Sequence, residues 1–164
     1  MKRLPLILLL FLLPFTLMIS CQQSAGTDPV LQARIDSLQK KVNNAYVPGV
    51  GEIMNGIVQP HHYKLWLAGH NKNWALAEYE RHLLLGGFTR IQKYHKADPT
   101  ANVVPMIFPE MDAIKIAIRQ KDAEAFKNHF ILLTKACNTC HQATRVEFNI
   151  ITVPSEQAYG NQRF

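Results

Sequence analysis

Cys137 and Cys140 are separated by two residues and followed directly by His141, so whatever this chain folds into must bring two thiols and an imidazole to bear on one object. Three chemistries use such a group. A redox dithiol wants a cytosolic strand–helix setting around the cysteine pair. A zinc site wants a second pair of ligands, and no second cysteine pair exists in the chain. Covalent attachment of haem uses the two thiols and the adjacent histidine together. The residues before the motif repeat at helical spacing, with Phe126, Phe130, Leu133 and Ala136 on the inward side, so a last helix is expected from about Ala123 through the motif.

The start of the chain bears on the choice. Met1-Lys2-Arg3 is a basic opening, and Leu4 to Ile19 is apolar, the form of an export signal. Pro5 and Pro14 interrupt the run, which a small residue and a cysteine close. The stretch Leu17-Met18-Ile19-Ser20-Cys21 resembles the lipobox of bacterial lipoproteins, with Met18 where leucine is usual. That resemblance implies a signal peptide over 1–20 and a mature chain anchored to a lipid membrane through acylated Cys21. The alternative is an ordinary signal peptide with an incidental cysteine. Gln22 stands where an aspartate retains some bacterial lipoproteins at the inner membrane, which tilts the expected location to the outer membrane, on its periplasmic side. With Cys21 lipidated, Cys137 and Cys140 are the only thiols left. Export also supplies the compartment in which covalent haem attachment makes sense, so one haem c is expected, with His141 as proximal iron ligand.

Charge excludes little else. Two of the 18 basic residues and none of the 12 acidic ones lie in the signal, leaving 16 basic against 12 acidic residues, a net charge of +4. That is too weak to suggest nucleic acid, and suits either solubility or an acidic redox partner.

A small polar stretch from Gln22 to Asp28 reads as a tether. Thr27 or Asp28 can cap a helix with Pro29 at its first position, along which Leu31, Ile35, Leu38 and Val42 form a narrow apolar stripe. The stripe either leans on its own domain or pairs with another copy. Tether and helix occupy 21–47, and 48–164 forms the main domain. A helix is expected from about Gly51 to Ala68, kinked or divided at Pro60. Another is expected from Trp74 to His95, capped by Asn71 or Asn73 and weakened at Gly86-Gly87. Asp98-Pro99-Thr100 and Pro105 read as a loop, Pro109 as the start of a short helix, and Lys121-Asp122 as a break. After Thr144 the chain reads as an extended tail on the body.

A motif near the C-terminus, on the last of about four long helices, resembles the cytochrome c′ family, the class II cytochromes c. Arg145 fits the family's basic residue four positions after the ligand histidine, although Thr144 replaces the usual aromatic before it. Met54-Asn55-Gly56-Ile57 is similar to the family's first helix, where a Met-x-x-Ile pattern lies near the haem. The resemblance spans roughly Val50 to Arg145. It implies an all-α fold, an antiparallel four-helix bundle, here with an extra N-terminal helix and an extended C-terminal tail. It also implies Arg145 at a haem propionate or a helix end, and a homodimer as one state of the chain.

The residue on the open side of the iron decides the chemistry. Met54 is the first candidate for a distal ligand; His61, His62 or a vacant position are the others. His61 and His62 are adjacent, so they point to different sides of a helix and cannot both reach the iron. A closed shell implies a carrier of single electrons among redox partner proteins of the envelope, not an enzyme. An open position implies instead the binding or sequestration of a small gas such as NO or CO. A third reading is a non-catalytic subunit docked to a larger redox complex.

Overall fold

The computed structural model describes residues 28–155 and 162–164. The signal segment and Cys21 lie outside the described residues. Among those described, the chain is helical and contains no strand. It divides into two compact units, the second beginning at Val47.

The first unit contains α1 (Pro29–Asn43). Asp28 caps it, its carboxylate accepting from Val30 N–H at 2.9 Å, with Pro29 in the first turn where no N–H is needed. Lys40 and Lys41 in the last turn face the negative end of the helix dipole. No residue of α1 is buried, and the stripe Leu31, Ile35, Leu38 and Val42 is exposed along its length.

The second unit opens with a rod in three consecutive stretches: α2 (Val50–Ile53), a π turn (Met54–Val58) and α3 (Gln59–His70). Pro60 neither ends nor separates this rod. Proline lacks an N–H, and its ring crowds the carbonyl four residues back. The helix widens just before it: Gln59 N–H reaches back five residues to the Met54 carbonyl. The division expected at Pro60 is thus a π turn, and it falls on Met54-Asn55-Gly56-Ile57.

Asn71 closes α3, and Asn73 opens α4 (Trp74–Tyr94) by accepting from Leu76 N–H at 3.2 Å. Gly86 and Gly87 do not interrupt α4. A Cβ on Gly87 would lie 2.8 Å from Val58 Cγ2, so its bare backbone lets α4 press directly on the π turn.

The stretch expected as a loop is helical, α5 (Pro99–Val103) and then a 3₁₀ turn (Val104–Ile107), and the helix expected from Pro109 follows it as α6 (Phe108–Gln120). Pro99 and Pro105 sit in first-turn positions, where the missing N–H costs nothing. Thr100 N–H donates to Asp98 at 2.8 Å, and the Thr100 hydrogen bonds hold that carboxyl below its ordinary pKa. Ala101, Val104 and Ile107 are buried, so the stretch is a plug in the core.

Lys121 takes a left-handed backbone (φ 56°) to end α6, and Asp122 caps α7 (Ala123–Ala143) through Glu124 and Ala125 N–H, each at 3.0 Å. α3 packs on α4, α4 on α6, α6 on α7 and α7 on α3, a closed ring of four helices. Leu65, Leu84, Ile91, Met111, Ile114, Phe130 and Leu133 fill its centre. Gly69 lets the Phe126 ring lie against the α3 backbone, where a Cβ would come within 2.1 Å of it. Trp66 packs tilted against Phe130, ring centroids 5.0 Å apart.

Candidate functional site

Cys137, Cys140 and His141 occupy the last turns of α7, at helical spacings of three and four that share one face. That face closes one side of a narrow, mostly apolar cavity. The opposite wall comes from the π turn and the start of α3, through Met54, Asn55, Val58, Gln59 and His62. Phe88 of α4 and Val104 and Ile107 of the 3₁₀ turn make the apolar floor. Asn149 and Ile151, from the segment after α7, complete it. A second cavity shares Met54, Asn55, Cys140, His141 and Asn149, and extends past Thr100 to Val146 and Phe148. Together they form a cleft around the motif, apolar beside Cys137 and more polar toward Thr100.

Burial pushes the Cys137 thiol up to about 12, the neighbouring Cys140 adding to the effect. Burial raises the Cys140 thiol too. A reactive dithiol needs the opposite, a cation or a helix N-terminus that lowers its pKa. These thiols sit at a helix C-terminus and stay protonated at neutral pH, so the site does not suit disulfide exchange.

His141 is oriented by the segment after α7 that completes the cavity. Its Nδ1 meets the Asn149 carbonyl at 2.5 Å. A carbonyl can only accept, so Nδ1 carries the proton and Nε2 keeps its lone pair. The segment supplying that carbonyl is tied back to the motif. Asn138 Nδ2 donates to Ile151 O and Ile151 N–H donates to Asn138 Oδ1, both at 2.8 Å.

Met54 faces the motif across the cavity, half-buried in the π turn. His62 also lines the cavity, buried, with Nε2 at 3.0 Å from Thr134 Oγ1. The Thr134 hydroxyl already donates to Phe130 O at 3.0 Å, so it accepts from His62, which therefore carries its proton on Nε2. His61 does not line the cavity; its Nδ1 lies 2.6 Å from Oε2 of buried Glu80. The adjacent histidines thus point to different sides of the helix, as their spacing implied. The remaining histidines lie elsewhere: His70 beside Trp66, His95 on the Pro48 carbonyl, His129 on Glu110, and His82 exposed. Met106 is exposed and Met111 is in the core.

Arg145 does not line either cavity, and its side chain is exposed. Its backbone ends α7. With φ at 62°, it lets Arg145 N–H reach Gln142 O at 3.2 Å and Val146 N–H reach His141 O at 2.9 Å, a Schellman pair. A non-glycine residue in that conformation costs on the order of 1 kcal/mol. Arg145→Gly is therefore expected to raise unfolding stability by on the order of 1 kcal/mol, measured by denaturant titration. A loss of stability would mean that the guanidinium makes a contact worth more than the backbone strain.

Asn138, Asn149 and the plug residues Val104 and Ile107 are site residues that sequence reasoning did not single out. Comparison with protein-family models, with curated proteins and with solved structures finds no match. Among the described residues, no helix is long and apolar enough to cross a membrane.

Proposed function

We propose that this chain is a monohaem c-type cytochrome that carries single electrons in the cell envelope. The observation that carries the reading is the convergence of Cys137, Cys140, His141 and Met54 on one apolar cavity. The residues fit a covalent haem: two neutral thiols for thioethers on one helix face, and an imidazole whose Nε2 lone pair is left free by the hydrogen bond at Nδ1. The closed ring α3, α4, α6 and α7 supports the finer reading as an antiparallel four-helix bundle similar to cytochrome c′. The proposal extends to Cys21 as a lipid anchor on the periplasmic side of an envelope membrane, the outer one by preference, and to envelope proteins as redox partners.

When bound, the haem supplies an iron that holds or gives up one electron. The chain does the rest. Cys137 and Cys140 fix the cofactor's edge at α7. His141 presents Nε2 and is kept in that tautomer by Asn149. Val58, Phe88, Val104 and Ile107 exclude water and lower the local dielectric, which favours the less charged iron state. Met54 presents a thioether from the opposite wall, and a thioether ligand raises a haem's potential.

Absorption spectra of the haem protein, oxidised and reduced, with and without carbon monoxide and nitric oxide, test this reading. A six-coordinate, low-spin spectrum indifferent to gas is expected. Met54→Ala should then give a reduced protein that binds carbon monoxide at once. A wild-type protein that is high-spin when reduced and shifts immediately with either gas would sink Met54 as a tight ligand and make gas binding the function.

A further inference from the structure

We infer that the segment Val146–Val153 is a strap that positions His141, and that Asn138 is the residue that fastens it. This inference rests on the reading of His141 as a haem ligand. The strap has no regular structure to hold it: residues 147–149 form a turn and a bend, the rest is irregular, and Phe148 and Ile150 are largely exposed, at 83% and 71%. Its apolar purchase comes from Ile151 on the cavity and Val153 against the core. Its fastening is polar. The Asn138 amide both donates to and accepts from the main chain of Ile151, two bonds at 2.8 Å across 13 residues of chain. Two bonds from one planar amide fix direction as well as distance. Two residues before Ile151, the Asn149 carbonyl then falls on His141 Nδ1.

The position of Asn138 makes this coupling direct. It is the first residue between the two cysteines, so the clamp is built into the motif that would hold the cofactor, a third of a turn from Cys137 and a turn from His141. A carbonyl accepting from Nδ1–H makes Nε2 a stronger donor and holds the ring against rotation. A stronger donor favours the ferric state and lowers the reduction potential. Released from Asn138, the strap is a loop with exposed backbone and few buried contacts, the kind of segment that opens locally. Asn138 is a positioning residue: it acts on His141 through the strap.

The test uses the intact haem protein and three variants. Asn138→Leu removes both bonds. Asn138→Asp keeps the acceptor for Ile151 N–H and loses the donor. Thr139→Ala is the control, since Thr139 Oγ1 bonds only the Lys135 carbonyl within α7. Amide hydrogen exchange at Ile151 and the reduction potential are measured on each, and the iron–histidine Raman band is measured on each in the reduced Met54→Ala background, where the iron lacks its sixth ligand. Asn138→Leu should lose exchange protection at Ile151, raise the potential and shift the band to lower frequency. In exchange protection and in the band Asn138→Asp should fall between Asn138→Leu and wild type, while its added carboxylate acts separately on the potential, and Thr139→Ala should match wild type. A potential and band unchanged in Asn138→Leu overturn the inference, whether or not the strap is released. Protection at Ile151 retained in that variant overturns it as well. A wild-type chain that takes up no covalent haem defeats the cytochrome reading itself, and is recognised by mass before any variant is compared.

Discussion

Replacing both Cys137 and Cys140 by alanine should give a protein with no covalently bound haem when it is produced alongside a c-type maturation system. Each single replacement should retain one thioether and a weakened attachment. The expectation follows from where the sulfurs are. Both thiols face one cavity from consecutive turns of α7, and among the described residues no other thiol lines it. Cys140 is 5% exposed and packs as a small hydrophobic group. Its loss to alanine removes one buried atom without stranding a polar partner, so the helix and the ring of four should survive. Intact mass under denaturing conditions reads the outcome. Wild type carries the added mass of one haem, the double variant none. A double variant with the same added mass as wild type would place the attachment elsewhere and remove the basis of the site.

What was legible in the sequence was mostly local. Asp28-Pro29 and Asn73 each start a helix where a capping side chain precedes a periodic apolar run, because capping is a bond within three residues; Lys121-Asp122 reads only as a break, and there Asp122 caps α7. Phe126, Phe130 and Leu133 face inward as their spacing implies. What was not legible depended on the same residue types being used differently. Pro99 and Pro105 read as breakers, but each begins a short helix, and the buried plug between them lines the site. Pro60 reads as a kink, yet a widened turn absorbs it, and that turn carries Met54. Gly87 reads as a weak point in α4, while its lack of a side chain is what brings α4 onto the π turn. The Cys-x-x-Cys-His spacing located one face of the cavity. The strap on its other side hangs on one asparagine bonded to a segment 13 residues on, and no periodicity encodes such a bond.

The cavity also carries a titratable group whose placement predicts how the protein responds to acid. His62 is 4% exposed, its ring centroid 4.5 Å from that of Phe130, and burial lowers its pKa from 6.5 to about 4. Above pH 6.5 the imidazole is neutral folded and unfolded, and its titration contributes nothing. As pH falls below 6.5 the unfolded chain binds a proton that the folded chain resists, so stability falls by about 1.4 kcal/mol per pH unit. The loss levels off below about pH 4, where both states are protonated, at about 3 kcal/mol. His62→Leu keeps an apolar side chain of similar bulk and leaves Thr134 its bond to Phe130 O. Glu78 and Asp98, whose carboxyl pKa values are lowered by their hydrogen bonds, also lose stability in acid, but equally in both proteins. Guanidinium unfolding between pH 7.5 and 4 should therefore give a wild-type curve that falls away from the His62→Leu curve, with the gap opening below pH 6.5. Parallel curves would mean that His62 is not held neutral by the fold. The visible spectrum of the same samples separates the remaining case: a His62→Leu protein whose haem bands move while those of Met54→Ala do not would make His62, reached through Nδ1, the distal ligand in place of Met54.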